Sequence, residues 1–272
     1  MEWDTPLAEW EGCEQTRLDL AARWGLANLS RLLGATCSQV FACTWQGEDA
    51  VLKIPNPEVE EADSWEVLIE ADGRGFVKPH LVDEESGAVL MPRLGASMAE
   101  SSLSHEEQTH LWCDLAEEIG RLPVRLAVMS AQDYLGDLMP VDGPEKAAVI
   151  QVYGRLLERR GQASFLHGDL HHYNILLSGN GWKAIDPKGL EGEKEFEAAA
   201  FLRNPIGSEL TADVSSARMK IMVDRLGFDP WRLWAWSAVQ LWMNGWGEGE
   251  DAFSLSCRKT WEGIWSLRSP FL

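Results

Sequence analysis

The sequence predicts an α+β protein of two lobes, a small β-rich lobe over residues 1–94 and a larger helical lobe over residues 95–272, sharing a cleft. Three observations predict it. The 272 residues can bury a substantial core, and 45% hydrophobic with 25% charged residues is ordinary globular usage. No internal repeat or low-complexity linker divides the chain, so a boundary must be read from a change in element type. That change falls near residue 95, where short β-like runs give way to helical patterns.

The elements follow in order. Gln39 to Thr44, Ala50 to Ile54, His80 to Asp83 and Ala88 to Met91 are short apolar runs that read as strands. They surround one helical stretch from Pro57 to Ala71. Beyond residue 95, Ser104-His105-Glu106-Glu107 is a capping box that opens a helix, and another helix begins after Gly143 with Pro144 in its first turn. A compact β-like island, Ser164 to Ile185, interrupts the helices. Its strands Ile175-Leu176-Leu177 and Trp182 to Ile185 are joined by Ser178-Gly179-Asn180-Gly181, which contains the Asn-Gly turn signal. A last helix, Pro230 to Met243, has Asp229 as its N-cap and carries Trp231, Trp234, Ala238, Leu241 and Trp242 at three-and-four spacing, a stripe that reads as core.

Charge and cysteine usage narrow the function classes. A formal charge of -19 argues against a nucleic-acid partner, whose phosphates need clustered Lys and Arg, and suits a cationic small molecule better. Five cysteines, Cys13, Cys37, Cys43, Cys113 and Cys257, form no CxxC pair and read as buried reduced thiols. The N-terminus has no basic segment followed by an apolar run, and no stretch of about 18 apolar residues occurs. A cytoplasmic protein without a membrane span is expected. The acidic runs Glu191, Glu193, Glu195, Glu197 and Glu248, Glu250, Asp251 read mainly as solvated surface.

The chemistry lies in the island. A hairpin brings its two ends together, and those ends carry Asp169, Asn174 and Asp186. Phosphoryl transfer from ATP needs a carboxylate to orient a hydroxyl, oxygen ligands for Mg2+ and a cation on the phosphates. Asp169 sits in His167-Gly168-Asp169 with Asn174 five residues on, the offset between a base and a metal-binding amide in kinase catalytic loops. Asp186 ends the next strand, where a carboxylate can bridge magnesium to phosphate oxygens. Lys53 closes the run Ala50-Val51-Leu52-Lys53, the place for a strand lysine on the α and β phosphates. His167, His171 and His172 could be read as a metal cluster, but hard oxygen ligands suit magnesium, and His167 is expected to brace the loop backbone.

The segment HGDLHHYNILL followed by GWKAIDPKGLEGE resembles the aminoglycoside phosphotransferase superfamily, and within it the streptomycin and hydroxyurea resistance kinases. The match is strongest over residues 164–205 and weaker over 33–95. The resemblance implies a bilobal protein-kinase-like fold and transfer of the γ-phosphate of ATP to a hydroxyl of a small molecule, first a streptomycin-like aminoglycoside, second hydroxyurea or another hydroxylated metabolite. By position, Asp169 would be the catalytic base, Asn174 and Asp186 would hold Mg2+, and Lys53 would bind ATP phosphates. Glu61 would pair with Lys53, with Glu66 as the alternative; adenine would meet the backbone around Met91, Arg93 and Leu94; and Glu193 would lie toward the acceptor. Ser38, in the loop Leu33 to Val40 that lacks a GxGxxG pattern, would offer a hydroxyl or N–H to phosphate. Asp186-Pro187-Lys188-Gly189 stands where protein kinases have Asp-Phe-Gly, and Tyr173 precedes Asn174 where related sequences often carry an acidic or small residue. A non-catalytic nucleotide-binding module of the same fold is the rival reading, disfavoured because Lys53, Asp169, Asn174 and Asp186 are all present.

Overall fold

A computed structural model describes residues 12–32, 38–57, 64–136, 141–179, 181–208, 210–247 and 250–268. The N-terminal part runs α1 (Cys13–Trp24), β1 (Ala27–Leu32), β2 (Ser38–Trp45), β3 (Glu48–Pro55), α2 (Ser64–Ala71), β4 (Leu81–Asp83) and β5 (Ala88–Pro92). Its five strands form one antiparallel sheet in the order β1-β2-β3-β5-β4. The remainder runs α3 (His105–Gly120), β6 (Met129–Ser130), α4 (Ala131–Leu135), α5 (Lys146–Glu158), β7 (Ala163–Leu166), β8 (Ile175–Ser178), β9 (Gly181–Ala184), β10 (Leu190–Glu193), α6 (Ala198–Leu202), α7 (Ala212–Leu226), α8 (Pro230–Trp246) and α9 (Ala252–Ser266). A β-sheet region followed by a helical region is therefore the observed architecture, as the order of element types predicts. Among the described residues no helix is long and apolar enough to cross a membrane.

The strands sort their side chains by alternation. Ala50, Leu52 and Ile54 of β3 are buried in a small cluster with Phe41, Cys43 and Leu90, closed by Cys13 and Leu20 of α1. Lys53 points to the opposite face, beside its register partner Val89, which belongs to a second and much larger cluster. That larger core also takes in Val67, Leu68, Phe76 and Met91 from the first 94 residues and continues through Trp112, Phe165, Ile175 and Phe201 into α8 and α9. Backbone hydrogen bonds reinforce the continuity: Val77 N–H donates to Ala184 O (2.9 Å) and Ala184 N–H to Gly75 O (2.8 Å), while Gly95 N–H donates to Leu177 O (2.8 Å) and Leu177 N–H to Ala96 O (3.0 Å).

The capping box opens α3 as predicted: Ser104 Oγ accepts from Glu107 N–H (3.3 Å), and Glu107 accepts from Ser104 N–H (2.8 Å). Asp229 caps α8 through Arg232 N–H (2.9 Å). The tryptophan stripe is core: Trp234 and Trp242 are fully buried and donate to Ile264 O (3.0 Å) and Pro144 O (2.7 Å). One expectation needs correction. α5 starts at Lys146, because Glu145 takes a left-handed φ of 58° and leaves Pro144 outside the helix. α2 is described only from Ser64 onward. α1 and β1 carry no strong periodic signal; β1 alternates little and is exposed or half-exposed throughout.

Candidate active site

The loop that carries Asp169 is fixed from several directions. Strand β7 ends at Leu166, and Gly168 then turns the chain with φ of 86°. A Cβ at Gly168 would come 2.7 Å from Leu190 Cγ and 2.8 Å from Lys188 Cβ, so only glycine fits. Buried His167 bridges the loop: Nε2 donates to Ile185 O (2.8 Å) and Nδ1 accepts from Asp169 N–H (3.2 Å). Burial pushes this imidazole down to about 4, and the neutral ring has the one donor and one acceptor that this bridge requires. Trp112 Nε1 donates to Leu170 O (2.9 Å) from α3. The buried Glu197 carboxylate accepts from the N–H groups of Gly168 (3.0 Å) and Leu170 (3.3 Å). Its carboxyl is raised to about 7 because burial outweighs the help of those N–H groups.

The hairpin β8–β9 then joins the two ends of the motif. Ile175 pairs with Ala184, and Ile185 N–H donates to Asn174 O (3.0 Å), which places Asn174 beside Ile185, the residue before Asp186. Asn174 Nδ2 donates to Asp169 O (3.0 Å). Asp186 adopts φ of 57°, unusual for a residue with a side chain, and its Oδ1 lies 2.9 Å from Lys53 Nζ. Lys53 reaches it from β3 across the cleft. The structure thus brings Lys53, Asp169, Asn174 and Asp186 together.

Asp169 itself is held by two side chains. Arg203 Nη2 donates to Oδ1 (2.8 Å), and His171 Nε2 lies 3.4 Å from Oδ2. Burial works to raise this carboxyl, but His171 and then Arg203 outweigh it and keep it well below the usual carboxylate range. A second cation, Arg218 of α7, is almost fully buried: Nη1 donates to Phe201 O (3.1 Å) and Asn204 O (2.8 Å), and Nη2 meets His105 Nδ1 (2.8 Å). His172 lies 3.4 Å from Arg218 and stacks on Phe201 at 4.2 Å; burial and then the Arg218 charge depress it to about 2. Among the described residues no group of three or more His, Cys, Asp or Glu is arranged to hold a metal.

The other candidates are scattered. Glu61 lies outside the described residues, and Glu66 is exposed on α2. Ser38 opens β2 with a buried Oγ that has no hydrogen-bond partner among the described residues. Met91 is buried at the end of β5, Arg93 N–H donates to Asp49 O (3.1 Å), and Leu94 packs on the larger core. Glu193 is tied into the fold. Its buried carboxylate receives both arms of the Arg232 guanidinium, Trp236 Nε1 (2.8 Å) and Gly161 N–H (2.6 Å), so it packs β10 against α8. The acidic run is also not a solvated face: Glu193, Glu195 and Glu197 are buried and only Glu191 is exposed. The signal was present in the apolar Ala-Ala-Ala-Phe-Leu that follows directly and draws the turn inward. Glu197, Arg203 and Arg218 were not anticipated.

Comparison with known proteins agrees with this fold. A family model described as aminoglycoside/hydroxyurea antibiotic resistance kinase matches residues 23–244. The chain is 31% identical over 229 residues to a streptomycin 3''-kinase of Klebsiella pneumoniae, covering 79% of this chain and 85% of that protein. It is 28% identical over 261 residues to a hydroxyurea phosphotransferase of Kitasatospora aureofaciens, covering 89% and 74%. Among solved structures, the choline kinase LicA from Streptococcus pneumoniae superposes with a TM-score of 0.65 at 12% identity over 93% of this chain and 98% of that one. The aminoglycoside phosphotransferase APH(4)-Ia, in a ternary complex with AMP-PNP and hygromycin B, gives 0.65 at 16% identity over 95% and 99%. At these identities the structural likeness establishes the kinase-like fold.

Proposed function

We infer the reaction from the premise that this chain belongs to the aminoglycoside/hydroxyurea antibiotic resistance kinase family, a family of phosphotransferases that act on small molecules. The acceptor is an alcohol group of a streptomycin-like aminoglycoside and the donor is ATP. The observation that carries this reading is the meeting of Lys53 and Asp186 at 2.9 Å, with Asn174 bonded to the backbone of Asp169 nearby, since it sets a phosphate-binding cation and two oxygen donors next to the loop of the proposed base. The streptomycin 3''-kinase relative supports the acceptor class, and the charge of -19 favours a cationic molecule.

Residues 1–94 serve as the ATP-binding lobe and residues 95–272 as the catalytic and acceptor lobe. Lys53 holds the α and β phosphates, Ser38 offers its unpaired hydroxyl to a phosphate oxygen, and backbone groups of Met91, Arg93 and Leu94 meet the adenine. The donor set fits magnesium: Asp186 supplies a carboxylate, and because Asn174 spends its N–H on Asp169 O, its amide oxygen is left to act as a ligand. Magnesium bound there would offset the negative charge of the phosphates. Asp169 orients the acceptor hydroxyl and takes its proton as the new O–P bond forms and the bond from the γ-phosphorus to ADP breaks.

An ADP assay with ATP, magnesium and a panel of streptomycin, other aminoglycosides, hydroxyurea and choline tests the reading. Streptomycin-dependent ADP formation well above the control without acceptor is expected; no acceptor-dependent signal from any member of the panel sinks it. Asp169→Asn should lower kcat by about 10²- to 10⁴-fold with the affinity for an ATP analogue retained.

A further inference from the structure

We propose that Arg203 is a positioning residue that occupies one oxygen of the Asp169 carboxylate and so leaves the other to receive the acceptor hydroxyl. The proposal rests on the phosphotransferase reading above for the role of Asp169.

The contact itself is a 2.8 Å ion pair to Oδ1 from a side chain that is only 9% exposed. Such a charge-assisted bond fixes a carboxylate rotamer more firmly than a neutral one. What distinguishes Arg203 from an incidental counter-ion is how many elements hold it. It ends α6, where its N–H donates to Ala199 O (3.2 Å). Arg218 of α7 grips the carbonyls of Phe201 and Asn204 on either side of it, fixing the backbone from which the guanidinium projects. From α9, Phe253 lies under the guanidinium at 5.1 Å and Ser256 Oγ donates to Arg203 O (3.1 Å). Three helices therefore converge on the placement of one guanidinium, and that guanidinium touches the proposed base.

The geometry has a directional consequence. With Oδ1 bonded to Arg203, Oδ2 is the less engaged oxygen for a hydroxyl; it faces His171 Nε2 at 3.4 Å, longer than a well-formed hydrogen bond. The acceptor thus approaches along the His171 side of the carboxylate. A freely rotating carboxylate would present either oxygen and lose the alignment on which transfer depends.

Steady-state kinetics of Arg203→Met and Arg203→Lys test this together with crystal structures of both variants and the wild type. The methionine variant should lose about 10²-fold in kcat while the KM values for ATP and acceptor stay near those of the wild type, with lysine intermediate. Millimolar guanidinium added to Arg203→Gly should recover part of the loss. In the crystals the Asp169 carboxylate should turn in Arg203→Met and keep its orientation in Arg203→Lys. An unchanged Asp169 in Arg203→Met overturns the proposal, as does a rise in acceptor KM with kcat unaltered, which would mean that Arg203 binds the acceptor itself. Should the methionine variant fail to fold, Arg203→Gln replaces it under the same criteria. If the wild type phosphorylates nothing, the reading of function fails, and the carboxylate orientation still decides the part played by Arg203.

Discussion

Glu193 and Glu197 flank the same short turn, yet they serve different parts of the molecule by different means. Glu193, at the end of β10, is neutralised by a guanidinium: Arg232 clasps both its oxygens, and Trp236 and Gly161 add two further donors. Glu195 belongs to the same side, accepting from Asp229 N–H (2.9 Å), so the two carboxylates together brace the start of α8. Glu197 meets no cation among its described partners; its donors are the backbone N–H groups of the loop that carries Asp169. A buried carboxylate with a counter-charge is a structural rivet, whereas one held by amide dipoles alone remains within reach of protonation.

The contrast can be broken or sharpened by substitution. Arg232→Met leaves Glu193 buried without its counter-charge and should lower stability by about 3–5 kcal/mol, read as a fall in the urea midpoint, with turnover per folded molecule retained. A change in acceptor KM instead would return Glu193 to the acceptor site. Glu197→Gln should act through pH. Because burial raises the folded carboxyl to about 7, the native state keeps a proton that the unfolded chain has already released, so stability falls as pH rises from the ordinary carboxylate range through 7. The slope amounts to on the order of 2–3 kcal/mol and should be largely missing from the glutamine variant when urea midpoints at about pH 5 and about pH 8 are compared. Asp229→Ala removes the α8 cap next to Glu195 and should cost about 1 kcal/mol, seen as a small drop in Tm.

What the sequence made legible follows range of contact. The spacing of Asp169 and Asn174, the hairpin behind them and the cap residues of α3 and α8 are local features, readable from residues a few positions apart. The fold class followed from the change of periodicity near residue 95. Arg203 lies 34 positions from the carboxylate it holds, and Glu197 29 positions from Gly168, and no periodic or motif signal links either pair. The alternating glutamates looked like a solvated face because their partners are remote in sequence: Arg232 lies 39 positions from Glu193 and Asp229 N–H 34 positions from Glu195, and only the packing of α8 brings them together. Strand β1 escaped notice for the opposite reason, since an edge strand with no buried position has little pattern to read.

The backbone hydrogen bonds that Ala184 exchanges with Gly75 and Val77, and Leu177 with Gly95 and Ala96, clasp the hairpin β8–β9 on both of its strands. β1–β3 and α1 pack instead on the separate small core, which Ala88 and Leu90 of β5 join to the rest of the sheet. Lys53 extends from β3 to Asp186 at the end of the clasped hairpin, so their 2.9 Å ion pair is one more tie between the sheet and the hairpin.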